Sequence, residues 1–295
     1  MDFREFKEEL LRKTKEKLGD RYEVEYQIYD KVNQKVERLS LGEKNQQGKQ
    51  KVFVNIAPEG LYENFLSAQT DSWEAVIKVI EDILANREVK VEVPTAEFVK
   101  RHVVVRLISR ERNAALLKTC PYKSWMDLAY VMCVVWNYGA GMASSVVTHG
   151  LVRTLELDPK ELFRIAETNV TSRFGFPKMI SMNDYLKAYL NDEYVASEME
   201  SDFYILTNDR EWNGSYLMGN IKVMSSVYRR LGSAFYILPS SVHELLLLPK
   251  QKGVSVKELK DTTCCVNRIP QCVSIGDVLS DSVYEFDGEQ VKIVE

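Results

Sequence analysis

The sequence predicts an α+β fold: a small N-terminal antiparallel sheet with helices, then two similar strand–helix–strand–strand–helix units. Three observations carry this expectation. Segments of period-two hydrophobicity alternate with segments of helical period. Turn residues separate them at short intervals. In the second half, short residue strings recur at a nearly constant offset.

Residues 1–93 form the first expected domain. Asp2 and Glu5 make a capping-box pair, with Phe3, Phe6, Leu10 and Leu18 near helical spacing. From Tyr22 the period becomes two. Tyr22, Val24, Tyr26 and Ile28 alternate with Glu23, Glu25 and Gln27, a strand with one wet face. The strings Val36–Leu41 and Val52–Ile56 continue the sheet. Gly42–Gln50 between them is polar and carries two glycines, as a hairpin loop does. Asp71 then caps a helix whose Trp73, Val76, Ile77, Ile80, Ile83 and Leu84 form one apolar stripe. Pro94 marks the boundary.

Residues 94–201 are expected to form the first of the two units. His102–Ile108 is a strand rich in β-branched residues. A short helix is predicted over Arg112–Lys118. Leu128–Trp136 suits a buried strand, turned at Gly139-Ala140-Gly141 into Ser144–Thr148. Asp158 and Pro159 open a helix as N-cap and first residue. Another helix is expected over Asp184–Leu190.

Residues 202–295 are expected to form the second unit. Phe203–Leu206 is its strand, and a helix from Ser215 to Leu231 is closed by Gly232. Strands at Ala234–Leu238 and Leu245–Leu248 are joined through Pro239-Ser240-Ser241. A helix over Val256–Val266 follows, and Ser282–Val294 reads as a hairpin turned at Asp287-Gly288. The two rounds rhyme. Leu107-Ile108-Ser109 leads to Asn113, as Leu206-Thr207-Asn208 leads to Asn213. Lys160-Glu161-Leu162 leads to Asn169, as Lys257-Glu258-Leu259 leads to Asn267. The offsets stay between 97 and 100 residues, which points to an internal duplication.

Composition sets the broad class. Of 295 residues, 45% are hydrophobic and 28% charged, the balance of a globular chain. The net charge of −4 argues against a nucleic-acid binder, which carries a basic excess. The basic run from Arg101 to Lys123 is interrupted by Glu111 and reads as a solvated face. The longest apolar stretch, Leu128–Trp136, is too short to span a bilayer, and Glu8 and Glu9 stand where a secretory signal would be apolar. Five cysteines without framework spacing fit reduced thiols in a cytoplasm.

The string Phe235-Tyr236-Ile237-Leu238-Pro239-Ser240-Ser241-Val242-His243-Glu244 resembles an uncharacterised bacterial family, a domain of unknown function found mostly in anaerobic gut Gram-positive bacteria. Arg106–Asn113, Asp127–Val131, Glu161-Leu162 with Ala166 and Asn169, and Phe203–Asn208 resemble it too. The likeness spans about residue 50 to the C-terminus. A fainter likeness in layout is to another uncharacterised bacterial family with the same closing strand pair. The resemblance implies a fold and a bacterial cytosolic setting, but no activity and no site residues. This chain has Gly214-Ser215-Tyr216 where the family usually has a glycine followed by alanines.

No arrangement of residues reaches the specificity of a catalytic motif. Ser241 and His243, two apart, share a face of an extended strand with Glu244 beside them. That is the raw material of a hydrolase, but no nucleophile elbow is present. The alternative is a turn closed by serine hydroxyls, with His243 structural. Cys264, Cys265 and Cys272 lack the paired spacing of a zinc site, so neither metal nor cofactor is expected. Gly139-Ala140-Gly141 follows a strand but opens no helix, unlike a phosphate loop. Asn113, Asp127 and Asn208 are polar residues beside apolar runs. They are candidate ligand-binding positions, or they satisfy local backbone groups. The sequence therefore favours a non-catalytic regulatory or binding protein, with a small molecule or peptide held between the repeats. A Ser241/His243 hydrolase is the alternative. The partner itself is unknown.

Overall fold

The computed structural model describes residues 1–44, 53–67, 73–85, 94–138, 141–189, 201–239, 241–251 and 253–294. The chain is mixed α+β and forms two compact units. One comprises Met1–Lys31 and Lys35–Val93, the other Val32–Gln34 and Pro94–Glu295.

The first unit is a three-stranded antiparallel sheet with helices on one face. Helix α1 (Phe3–Leu18) opens with the Asp2/Glu5 capping box. Strands β1 (Tyr22–Lys31), β2 (Gln34–Glu43) and β3 (Phe53–Ile56) follow in that spatial order. Helices α2 (Pro58–Ser67) and α3 (Trp73–Ala85) complete the unit. Phe6, Leu10, Leu39, Leu41 and Ile80 are fully buried in one cluster with Tyr22, Val24 and Ile77. The stripe is narrower than its period implies, because Ile83 sits at its margin and is 38% exposed. Helix α2 was not expected. Pro58 at its first position is a helix-start signal, but Gly60 weakens the pattern behind it. The expected cap Asp71 and most of the loop expected at 42–50 lie outside the described residues. Gly42 itself is in β2, where the Phe53 ring occupies the space a Cβ would need.

The second unit holds two antiparallel sheets. Helix α4 (Ala96–His102) leads into β4 (Val103–Ser109). Then come β5 (Tyr122–Trp125), β6 (Leu128–Tyr138), β7 (Gly141–Val146), α5 (His149–Thr154) and α6 (Pro159–Phe174). These strands form a four-stranded sheet in the order β4-β6-β5, with β7 also on β6. Strand β8 (Pro177–Ser181), α7 (Met182–Tyr189), β9 (Tyr204–Asn208), α8 (Ile221–Leu231), β10 (Phe235–Leu238), β11 (Leu245–Pro249), α9 (Val256–Asn267), β12 (Val283–Phe286) and β13 (Val291–Val294) follow. Their sheet runs β13-β12-β10-β11-β9-β8.

Several sequence expectations are corrected. Arg112–Lys118 is a turn with one 3-10 stretch, Leu116–Lys118, and not an α-helix. The helix expected from Ser215 begins as a 3-10 stretch, Gly214–Gly219. Asn220 then caps a fresh α-helix by accepting from the Lys222 and Val223 amides. Strand β8 precedes the boundary expected at residue 201 yet pairs with β9, Met179 opposite Leu206. The two rounds also do not align as expected. In the first, the opening strand β4 pairs with Leu128–Tyr138; in the second, β9 pairs with β11, the last strand of its round. The unexpected β5 changes the correspondence. Taken as β4, β5, β6 against β9, β10, β11, both sheets share the order first-third-second. The glycine turn and Ser240 fall partly or wholly outside the described residues.

Strand β4 lies at the edge of its sheet, yet Val103, Val104, Val105, Leu107 and Ile108 are all buried. Its free carbonyls need donors that water cannot supply. Three asparagines supply donors to Val103, Val105 and Ser109. Asn169 of α6 donates to Val103 O at 2.9 Å, Asn213 donates to Val105 O at 2.8 Å, and Asn113 donates to Ser109 O at 2.8 Å. Asn213 does this from a left-handed backbone, φ 58° and ψ 28°. Asn213→Gly keeps that conformation and loses only the amide, so it should cost about 2 kcal/mol in urea denaturation. Asn213→Ala should cost about 1 kcal/mol more, through its Cβ. Equal losses for both would show that the backbone is not strained there.

Candidate functional site

Ser241, His243 and Glu244 lie in the connection between β10 and β11. Ser241 bridges to Val278, and the Val242 amide donates to Asp277 O at 2.8 Å. That pairing brings the Asp277 side chain to His243, Nε2 to Oδ1 at 3.3 Å. The other ring nitrogen, Nδ1, accepts the buried Asn213 amide at 3.1 Å. An amide can only donate, so Nδ1 is unprotonated and Nε2 carries the proton toward Asp277. Bonding to His243 holds the Asp277 carboxyl below the usual carboxylate range. The main chain at His243 is fixed as well. Its carbonyl accepts from Thr207 Oγ1 and from the Gly214 amide, both at 2.8 Å. Gly214 must be glycine, since a Cβ would stand 2.5 Å from that carbonyl and from Thr207 Oγ1.

The Ser241 hydroxyl does not face the imidazole. It accepts the backbone amide of His243 at 3.0 Å and bonds the Glu244 carboxyl. A carboxylate does orient the ring, but the position a nucleophile would take is filled by the Asn213 amide. Arg106 adds to the cluster. Its guanidinium stacks on Trp212 at 4.7 Å and its Nε donates to Asn213 Oδ1 at 3.2 Å.

The three candidate ligand residues are likewise engaged inside the unit. Asn113 also bonds Asn33 of the Val32–Gln34 stretch, through both its amide and its carbonyl. Asp127 accepts hydroxyls from Ser280 at 2.7 Å, Ser282 at 3.2 Å and Tyr284. It thereby ties the β5–β6 turn to β12. Burial and this carboxylate keep the Tyr284 phenol protonated far above its ordinary range. Asn208 closes an Asx turn, accepting the Arg210 amide at 3.1 Å and donating to Trp212 O at 2.8 Å. Of the cysteines, Cys120 and Cys133 are buried, Cys265 and Cys272 are exposed, and all five are free. Among the described residues no three His, Cys, Asp or Glu side chains gather as metal ligands would. In the basic stretch, Arg101 pairs with Glu97 and Lys123 with Glu167.

A concave site lies elsewhere, where sequence reading singled out nothing. Helix α8 crosses the β8–β9 end of the six-stranded sheet and leaves a groove of about 460 Å³. Its floor is Met179, Leu206, Val223 and Val227, with Phe176 and Pro177 at one side and Lys222, Ser226 and Arg230 along the helix wall. Among the described residues, neither Lys222 nor Arg230 meets a carboxylate. Arg230 reaches only Met179 O, at 3.4 Å. The i, i+4 spacing of Val223 and Val227, and of Lys222, Ser226 and Arg230, was the available signal. It needed β8 opposite to acquire meaning. A larger depression in the first unit, between α1 and α3, carries charges of both signs, with Lys78 paired to Asp82 and Glu16 to Arg12.

Burial raises the Glu244 carboxyl above its ordinary value, so folding penalises its charged form. The penalty is absent well below the ordinary carboxylate range, grows as pH rises through it, and is complete above the raised value. Glu244→Gln should therefore raise the melting temperature at neutral pH, with the gain fading on acidification. A gain unchanged by pH would mean that packing, not charge, is responsible.

No curated protein and no solved structure matches the chain. A family match covers residues 3–288, so it takes in the N-terminal unit as well as the stretches that carry the resemblance. With nearly its whole length matched, the chain belongs to DUF5688, a family of unknown function.

Proposed function

We propose that this protein is a non-catalytic, cytoplasmic binding protein of bacterial origin, and that the groove between β8 and α8 receives its ligand. The observation that carries this reading is the groove's make-up: an apolar floor under two cations that no carboxylate of the described residues neutralises. Binding sites combine such a floor with a few polar anchors. The free cysteines fit a reducing compartment. No helix of the described residues is long and apolar enough to cross a membrane. The shared strand order of the two sheets supports a duplicated origin for the second unit, although the groove lies within one sheet's helix layer and not between copies.

The His243–Asp277 pair is the one observation that favours a hydrolase, and the orientation of Ser241 opposes it. A serine-reactive phosphonate should leave Ser241 unlabelled. Stoichiometric labelling lost in His243→Ala would establish the hydrolase instead. For the groove, a fragment library screened by methyl NMR on the full chain should shift Val223, Val227 and Met179. Ser226→Trp, at an exposed position on the groove wall, should abolish the Val223 and Met179 shifts. Hits that gather around His243 and spare these methyls would remove the groove as the site.

A further inference from the structure

We propose that the occupant of this groove is an acidic, apolar peptide segment of a partner protein; the inference rests on the groove being the binding site. Lys222, Ser226 and Arg230 recur every fourth residue and so share one face of α8. At the helical rise, the two cations stand about 12 Å apart along the axis. Val223 and Val227 lie one position round, over Met179 and Leu206.

Two separated cations decide the chemical class. A fatty carboxylate bears its charge at one end and can neutralise only one of them. A phosphate or sulfate is far too short to span about 12 Å. Asp or Glu residues eight apart on a helix, or about four apart in an extended chain, do span it, with apolar side chains between to meet the floor. A groove of about 460 Å³ accepts several side chains and not a domain. Phe176, 70% exposed at the groove's side, adds an aromatic surface of the kind that anchors peptides. Like charges placed against this wall would be repelled, so the same feature supplies selectivity.

The test uses three probes on the full chain. One is a fluorescein-labelled leucine–alanine peptide bearing two glutamates eight residues apart. The second is its lysine counterpart, and the third is laurate. Fluorescence anisotropy should show binding of the glutamate peptide only, weakening as salt is added. The double variant Lys222→Glu/Arg230→Glu should bind the glutamate peptide at least about tenfold more weakly and gain binding to the lysine peptide. Both positions are exposed, and circular dichroism melts of the variant check that it folds. Equal binding of both peptides would overturn the proposal, as would laurate shifting the Val223 and Val227 methyls while neither peptide does; in both cases the groove survives as a site. If peptides, laurate and fragments all leave those methyls unmoved, the groove reading itself falls.

Discussion

A buried edge strand is the constraint from which the second unit follows. The β4 side chains are core, yet one side of its backbone has no neighbouring strand. Unpaired buried carbonyls cost more than most single contacts contribute, so the surrounding chain must bring donors to them. Asn169, Asn213 and Asn113 do so from three different segments. Meeting Val105 forces Asn213 into its left-handed conformation, which starts the 3-10 stretch Gly214–Gly219. That stretch lays Gly214 against the His243 carbonyl and ends at Asn220, which caps α8. The wall of the groove is thus set, through a few hydrogen bonds, by the edge of a strand in the other sheet.

The same chain of bonds explains which parts of the fold were legible in the sequence. Local signals held. The Asp2/Glu5 box, the Asp158-Pro159 start and Gly232 in its left-handed cap are all contained within a few residues. Features decided at a distance were hidden. Nothing near Ser215 says that an α-helix must wait until Asn220, because the cause is a carbonyl about a hundred residues earlier. Tyr122–Trp125 is too short and too exposed to show a strand period, and it becomes β5 only through β6. The rhyming asparagines Asn113, Asn169 and Asn213 were visible as letters. Their common task, closing one strand's carbonyls, exists only in three dimensions.

Nearness in sequence does not make Ser241 and His243 a catalytic pair. Ser241 and His243 share a face only if the chain is extended through them. Here the Ser241 hydroxyl turns back to the His243 amide, and the ring takes its partners from Asn213 and Asp277. Asp127 was singled out as a carboxylate beside an apolar run. That setting is also what fits it to collect three hydroxyls from the β12 side of the unit. The groove residues divide between β8 and α8, more than forty positions apart. Only the pairing of Met179 with Leu206 puts them together.

Burial and pairing set the protonation of the titratable groups in the second unit. A nucleophile is activated by lowering its pKa, yet burial pushes the Cys120 thiol up to about 11 and raises Cys133 further from reactivity. Tyr216 is pushed up to about 12 by burial, and Tyr130 and Tyr284 are raised beyond it. Among the carboxylates, Asp277 is lowered because it is bonded to His243, and Glu285 spends its charge on Lys250 at 2.9 Å. Burial above all holds these thiols and phenols neutral, and His243 holds Asp277 charged. Lys222 and Arg230 differ in that they carry charge to a concave, apolar surface where no carboxylate of the described residues meets it. A charge left in that position adds little to folding. On the proposed reading, it attracts an anionic group that arrives with apolar surface of its own.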